Sequence, residues 1–84
     1  MNTAFLLLAE HSRAILPLEE VAERYLGLNE RVARAKANKG ELPFPAFQPG
    51  SQKGPWLVNI ADLAAWLDAE RDRAARDFEG RRVA

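Results

Sequence analysis

The 84-residue sequence contains no cysteine and a single histidine, His11. Disulfides and thiolate metal sites are therefore excluded, and the chain must fold by packing alone, as suits a reducing cytoplasm. A lone histidine also argues against a metal centre, because such a site needs three or four convergent ligands. We expect His11 to lie at the surface or in a helix cap, and we expect neither a metal nor a cofactor.

Long hydrophobic runs are also missing. The apolar stretch at residues 4–9 is much shorter than the ~20 residues of a spanning helix, and no Lys or Arg precedes it as in a signal peptide. The sequence therefore predicts a cytoplasmic protein without a membrane segment. Its length allows one small domain, which buries only about 60–65% of its unfolded surface and is marginally stable alone.

No catalytic constellation is present. The acidic pairs Glu19 with Glu20 and Asp68 with Asp72 fall on predicted exposed helix faces, so solvated charge explains them better than acid–base chemistry. Gly50 flanks a predicted turn and does not open a helix, so it does not form a phosphate-binding loop. We therefore predict that the protein is not an enzyme.

The net charge is zero, but the charges are unevenly distributed. Residues 29–55 carry five basic against two acidic side chains, a net of +3, whereas residues 1–28 carry two against four and residues 56–84 carry five against six. Positive charge is thus concentrated in one segment, as expected of a nucleic-acid-binding surface.

The order of the predicted elements is typical of a winged helix-turn-helix. After a first segment at residues 3–9, read as a helix with an alternating strand as the alternative, a short strand at Ile15 and Leu16 leads into a helix that starts at about Leu18. Gly27 ends this helix, and Asn29 can cap the next one. Two helices joined by so short a turn cross steeply, which is the helix-turn-helix arrangement.

The second helix of this motif, residues 30–39, has a thin apolar side that includes Ala33 and Ala37. Its opposite side is a solvated face in the ordinary interpretation, but its position in the motif favours a recognition helix. Arg can bridge the guanine acceptors and Asn can match adenine, while Lys neutralises phosphates. The predicted DNA-binding residues of this helix are Arg31, Arg34, Ala35, Lys36, Asn38 and Lys39.

A wing is predicted after Gly40. Residues 44–48 form an edge strand, residues 49–55 a polar turn and residues 56–58 a returning strand. The tip of this wing carries Ser51, Gln52 and Lys53, and we predict that Gln52 and Lys53 lie against the DNA backbone or the minor groove.

A long helix at about residues 60–79 follows, with Leu63, Trp66 and Leu67 closing the core. Beyond Asp68 the helix is too charged for a core, so it is either a solvated extension or a partner surface. An exposed Phe78 there predicts a homodimer through this helix, although a lone surface aromatic is an equally ordinary explanation. The fold class is therefore mainly α with a small β-wing: a single winged helix-turn-helix domain at residues 1–79 and a frayed tail at residues 80–84.

Four segments resemble the pyocin activator PrtN family: MNTAFLLLA at residues 1–9, LPLEEV at 16–21, GSQK at 50–53 and DLAAWLDA at 62–69. The resemblance extends to about residue 71. GELP at residues 40–43 and the segment at residues 62–67 are similar, more loosely, to excisionase and AlpA proteins of the MerR-like winged helices. Within the family pattern the GSQK segment fits best, and it implies the DNA-contact role of Ser51, Gln52 and Lys53.

The resemblance implies a bacterial or prophage transcription activator that binds double-stranded DNA upstream of phage-tail-like bacteriocin genes and contacts RNA polymerase. Such a protein would be nucleoid-associated when bound. Two other classes remain open: an excisionase-like architectural protein that bends DNA, and a protein-interaction module that uses the same fold. Bacteriocin or tail genes nearby would favour activation, and a neighbouring integrase gene would favour excision.

Overall fold

The computed structural model describes residues 2–50 and 53–83 as a mainly helical chain with a small antiparallel sheet. The elements in chain order are helix α1 (Thr3–His11), strand β1 (Ile15–Pro17), helix α2 (Leu18–Val21) continued by a π-helical turn (Ala22–Leu26), helix α3 (Glu30–Lys39), strand β2 (Leu57–Asn59) and helix α4 (Ile60–Val83).

Capping interactions at both ends determine where α1 begins and ends. The Asn2 side chain accepts a hydrogen bond of 2.8 Å from the backbone N–H of Phe5, which satisfies a free donor at the helix start. Ser12 ends α1 with a left-handed backbone (φ 58°), and its N–H donates to the carbonyl of Leu8 at 2.7 Å. The first segment is therefore a helix, and the alternative of an alternating strand is wrong.

The sheet joins two segments that are distant in the chain. Strand β1 pairs antiparallel with β2, and Leu16 lies opposite Val58. Both side chains are buried, so this register places apolar residues of both strands on the core side. The N–H of Ile60 donates to the carbonyl of Ala14 at 2.8 Å, so the start of α4 lies beside the loop that follows α1.

The strand prediction for residues 44–48 is wrong. Only Phe47 makes a bridge there, through two hydrogen bonds with Leu57 of 2.8 and 2.9 Å. Pro45 has no N–H to donate, and the neighbouring Phe44 is buried, so this segment packs as a loop. The two-strand sheet thus uses β1 as its second strand in place of the predicted wing strand.

A single hydrophobic core lies between the sheet and the helices. Phe44 and Trp66 meet there edge to face, with ring centroids 5.5 Å apart. The buried core residues are Leu7, Leu16, Leu18, Val21, Ala22, Ala33, Phe44, Val58, Ile60, Leu63 and Ala64. Leu63 is buried as predicted, while Trp66 and Leu67 are half-buried and pack against this cluster.

Helix α4 is longer than predicted and extends well beyond the core. It continues to Val83, so residues 80–83 are helical, where a frayed tail was expected. The Thr3 hydroxyl donates to the Asp68 carboxylate, which places the N-terminus of α1 beside the middle of α4. Residues 71–82 are all exposed, and the molecule measures 50 × 28 × 17 Å. No helix within residues 2–50 and 53–83 is both long and apolar enough to cross a membrane.

Candidate nucleic-acid interface

The turn between α2 and α3 sets the position of α3. Gly27 adopts a left-handed backbone (φ 69°), and the N–H groups of Gly27 and Leu28 both bond to the carbonyl of Ala22. Asn29 then caps α3, because its side chain accepts from the N–H of Val32 at 2.9 Å. Three residues, Gly27, Leu28 and Asn29, therefore separate the π-helical turn from α3.

Small side chains hold α3 close to the body of the protein. Ala33 is completely buried and Ala37 is half-buried against the core. Because these two side chains are small, the backbone of α3 can lie close to the core. Gly40 ends α3 with a left-handed backbone (φ 69°). The bounds of α3 are those predicted from the sequence.

The outward face of α3 carries most of the predicted recognition residues. Arg31, Arg34, Ala35 and Asn38 are all exposed and, together with Glu30, line one shallow depression along the helix. Their spacing of three and four residues puts them on one side of the helix, opposite Ala33. The structure thus brings four of the predicted residues together.

The two predicted lysines of α3 lie elsewhere. Lys39 is exposed at the last helical residue, and Lys36 is half-buried. Neither lysine lines the depression. They flank the exposed face of α3 that Arg31 and Arg34 occupy and do not belong to it.

A second hollow connects α3 to the turn before β2. Arg34 and Lys53 line it together with Trp56, and Glu19 and Glu30 contribute two carboxylates. The Gln48 side chain braces this turn by donating to the carbonyl of Gly54 at 2.8 Å. Lys53, predicted at the wing tip, therefore lies on the same side of the molecule as Arg34, while Ser51 and Gln52 lie outside the described residues.

The carboxylates of this hollow were missed as site residues by the sequence analysis. The Glu30 carboxylate lies 3.5 Å from a guanidinium nitrogen of Arg34, one turn along α3. Spacing of four residues alone could have indicated that pair. Nothing local indicated Glu19 or Trp56, because both reach the hollow only through the tertiary fold. An exposed ion pair of this kind contributes little stability, so Arg34 remains able to exchange partners.

Polar contacts attach α1 to the helical segment that precedes α3. His11 Nε2 lies 2.9 Å from the Tyr25 hydroxyl, and the Arg24 guanidinium stacks 5.5 Å from the centre of the Tyr25 ring while also contacting the Glu10 carboxylate. Burial raises the pKa of the Tyr25 hydroxyl above its ordinary value, so it stays protonated near neutral pH.

His11 is the last residue of α1, in agreement with the predicted cap position, but its side chain is only 7% exposed and not on the surface. Its partner Tyr25 is distant in sequence, so nothing local indicates this contact. No group of three or more potential metal ligands occurs among the described residues.

Comparison with known protein families gives one match. Residues 3–74 match the family described as pyocin activator protein PrtN. This range includes α1, both strands, α3 and the first part of α4. No curated protein and no solved structure matches the chain.

Proposed function

Because this chain belongs to the pyocin activator protein PrtN family, we propose that it is a sequence-specific DNA-binding activator of prophage or phage-tail-like bacteriocin genes. The observation that carries the proposal is the outward face of α3, where Arg31, Arg34 and Asn38 are exposed on one side of a helix that is closely seated through Ala33.

In this proposal α2, its π-helical turn and α3 form a helix-turn-helix, and the turn before β2 forms the wing. Arg31 and Arg34 are matched to the O6 and N7 acceptors of guanine, and Asn38 is matched to adenine. Ala35 leaves room at the centre of this face for the base edges. An α-helix of this exposure fits the major groove, which is about 12 Å wide.

The remaining cations would bind the DNA backbone. Lys53 lies in the hollow beside Arg34, so a major-groove position for α3 brings the wing close to a neighbouring phosphate. Lys36 and Lys39 flank the recognition face, and Ser51 and Gln52 adjoin Lys53 in the chain. Contacts of this kind fix the register of the protein on DNA without reading sequence.

The local charge balance favours two copies on one site. Arg31, Arg34 and Lys53 share their surface with the carboxylates of Glu19 and Glu30, so one copy supplies few uncompensated cations. Two copies double the phosphate contacts, and half-sites spaced by one turn of DNA suit a symmetric dimer. We propose that the exposed part of α4, with Phe78 62% exposed, holds this dimer together.

Activation would require a contact with RNA polymerase in addition to DNA. The protein would act in the bacterial cytoplasm, associated with the nucleoid when bound, and would need no enzymatic activity and no cofactor. Residues 1–79 would serve as one DNA-binding domain. An architectural, excisionase-like role would use the same DNA surface without a polymerase contact.

An electrophoretic mobility shift assay tests the proposal directly. Duplexes from upstream of the adjacent operon should be retarded at protein concentrations at least about 1,000-fold lower than scrambled duplexes of equal length, as for specific binders generally. A reporter fused to the same upstream region should then rise when the protein is expressed. Equal retardation of both duplexes would contradict sequence-specific binding, and specific binding with a circular-permutation bend but no reporter response would favour the architectural role.

Replacing Lys53 by alanine tests the wing. Lys53→Ala is expected to weaken binding to cognate and scrambled DNA alike, and to lower the magnitude of the slope of log K against log salt by about 0.9 for each phosphate that the protein no longer neutralises. Binding isotherms at several salt concentrations measure this slope. Arg13→Ala provides a control, because Arg13 is exposed and paired with Glu20 away from α3. A slope that Lys53→Ala leaves unchanged would mean that the wing does not touch the backbone.

A further inference from the structure

Two exposed apolar surfaces lie at different places on this small protein. The first, which we call the α1 patch, comprises Phe5 (65% exposed), Leu6 (53%) and Leu8 (41%). The second is Phe78 (62% exposed) on the extension of α4, residues 69–83. The extension is an uninterrupted continuation of α4, and residues 71–82 are all exposed, so it does not cover the α1 patch of its own chain.

We infer that the α1 patch is the receptor for the α4 extension of a second copy of this chain. This inference specifies the dimer proposed above and does not depend on DNA binding. In a two-fold dimer the same contact forms twice, because each copy offers one patch and one extension.

The direction of the helices decides how such a dimer is built. Thr3 contacts Asp68, and Ala14 bonds to Ile60 at the start of α4, so α1 runs antiparallel to α4 in its own chain. If two copies associate with their α4 helices parallel, equal residues lie at the same level, so neither extension reaches an α1 patch. If the α4 helices run antiparallel, each extension passes along the α1 helix of the other copy.

The lengths fit the antiparallel arrangement. The extension gives about 22 Å of helix at 1.5 Å per residue, and the nine residues of α1 span about 13 Å. The contact between Thr3 and Asp68 puts Leu6 about level with residue 65. A two-fold axis that crosses α4 near residues 71 and 72 therefore brings Phe78 of each copy beside Leu6 of the other.

Charge and side-chain size agree with that register. Because the extension then runs parallel to the opposing α1, Arg82, one turn after Phe78, falls level with Glu10, one turn after Leu6. The exposed Glu10 carboxylate already contacts Arg24, and Arg82 would add a second cation beside it. Ala65 and Ala69 are exposed on α4 next to Asp68, so the opposing helix meets no bulky side chain there. The α1 patch itself has no charged residue that would repel an apolar partner.

The inference predicts a specific pattern of dimer loss and rescue in sedimentation equilibrium. The intact chain should dimerise, and both Phe78→Ser and the double variant Phe5→Ser with Leu6→Ser should weaken dimerisation on the order of 100-fold or more, since each variant removes the apolar surface from both copies. An equimolar mixture of the two variants should dimerise at concentrations at which each alone is monomeric. The mixed dimer retains one intact contact, between the unaltered α1 patch of one copy and the unaltered extension of the other.

Other outcomes overturn the inference at different levels. A monomeric intact chain would overturn the dimer itself. If the double variant in α1 dimerises normally, the two extensions pair with each other. If the mixture of variants stays monomeric, each surface pairs with the same surface of the other copy. Either result would contradict the α1 patch as the receptor but not the dimer. Val32→Ser, which alters a 39%-exposed apolar residue on α3, is the matched control and should dimerise normally. Circular dichroism melts of all variants establish that each is folded, and none of these measurements requires DNA.

Discussion

Replacing Leu63 by alanine is expected to lower the free energy of unfolding by about 2–5 kcal/mol, the range for a leucine removed from a packed core. Leu63 is completely buried where α4 closes the core, and the cavity left behind cannot be filled by exposed neighbours on α4. For a small domain whose total stability is roughly 5–10 kcal/mol, a loss of this size leaves a measurable unfolded fraction. Chemical denaturation followed by circular dichroism gives the value.

Leu6→Ala is the control for this measurement. The same atoms are removed, but from a side chain that is 53% exposed, so a loss of only about 0.5 kcal/mol is expected. Both variants should be compared at a concentration at which the protein is monomeric, because Leu6 also belongs to the proposed dimer surface. Equal losses for the two substitutions would contradict the placement of Leu63 in the core.

Arg31→Ala and Arg34→Ala are each expected to lose about 1–3 kcal/mol of binding free energy on the cognate DNA site and much less on scrambled DNA. The reason is that a bidentate contact to guanine is formed only where the correct base is present, while a phosphate contact forms anywhere. Fluorescence anisotropy titrations of both variants on both duplexes measure the difference. The Arg13→Ala variant again serves as the arginine control, since Arg13 is paired with Glu20 outside the depression on α3.

The pattern of losses distinguishes three roles for α3. A loss confined to the cognate site supports base reading. Equal losses on both duplexes would reassign the two arginines to the phosphate backbone. Unchanged binding to both duplexes would mean that α3 does not contact DNA, and the wing would then be the candidate surface.

The sequence was sufficient where structure is determined locally. Asn29 and Gly40 bound α3 through contacts within a few residues, so both ends of that helix were predicted correctly. For α1 the sequence offers Asn2 or Thr3 as the cap, and the structure uses Asn2. Helical spacing also placed Arg31 and Arg34 on the face opposite Ala33, because the period of a helix is independent of its tertiary contacts.

The sequence was insufficient where pairing is long-range. Strand β2 was expected to pair with residues 44–48, its neighbours in the chain, but only Phe47 bridges to it. The strand pairs over its whole length with β1, because Leu16 and Val58 can then be buried together. Glu19 reaches the hollow beside Lys53 for a similar reason, through the packing of α2 against the segment before β2. The extension of α4 was underestimated because residues 80–84 were expected to fray at the end of the chain, although a glycine inside a helix, here Gly80, costs only about 1 kcal/mol.

The contact between His11 and Tyr25 gives the two proposed surfaces a shared support. His11 ends the helix that carries the α1 patch, and Tyr25 lies two residues before the glycine turn that sets the start of α3. This hydrogen bond joins the helix of one proposed surface to the turn that positions the other, so we expect dimerisation and DNA binding to be coupled. By thermodynamic reciprocity, whatever factor dimerisation adds to the affinity for DNA, DNA adds the same factor to dimerisation, so an operator site would strengthen the dimer that the free protein already forms.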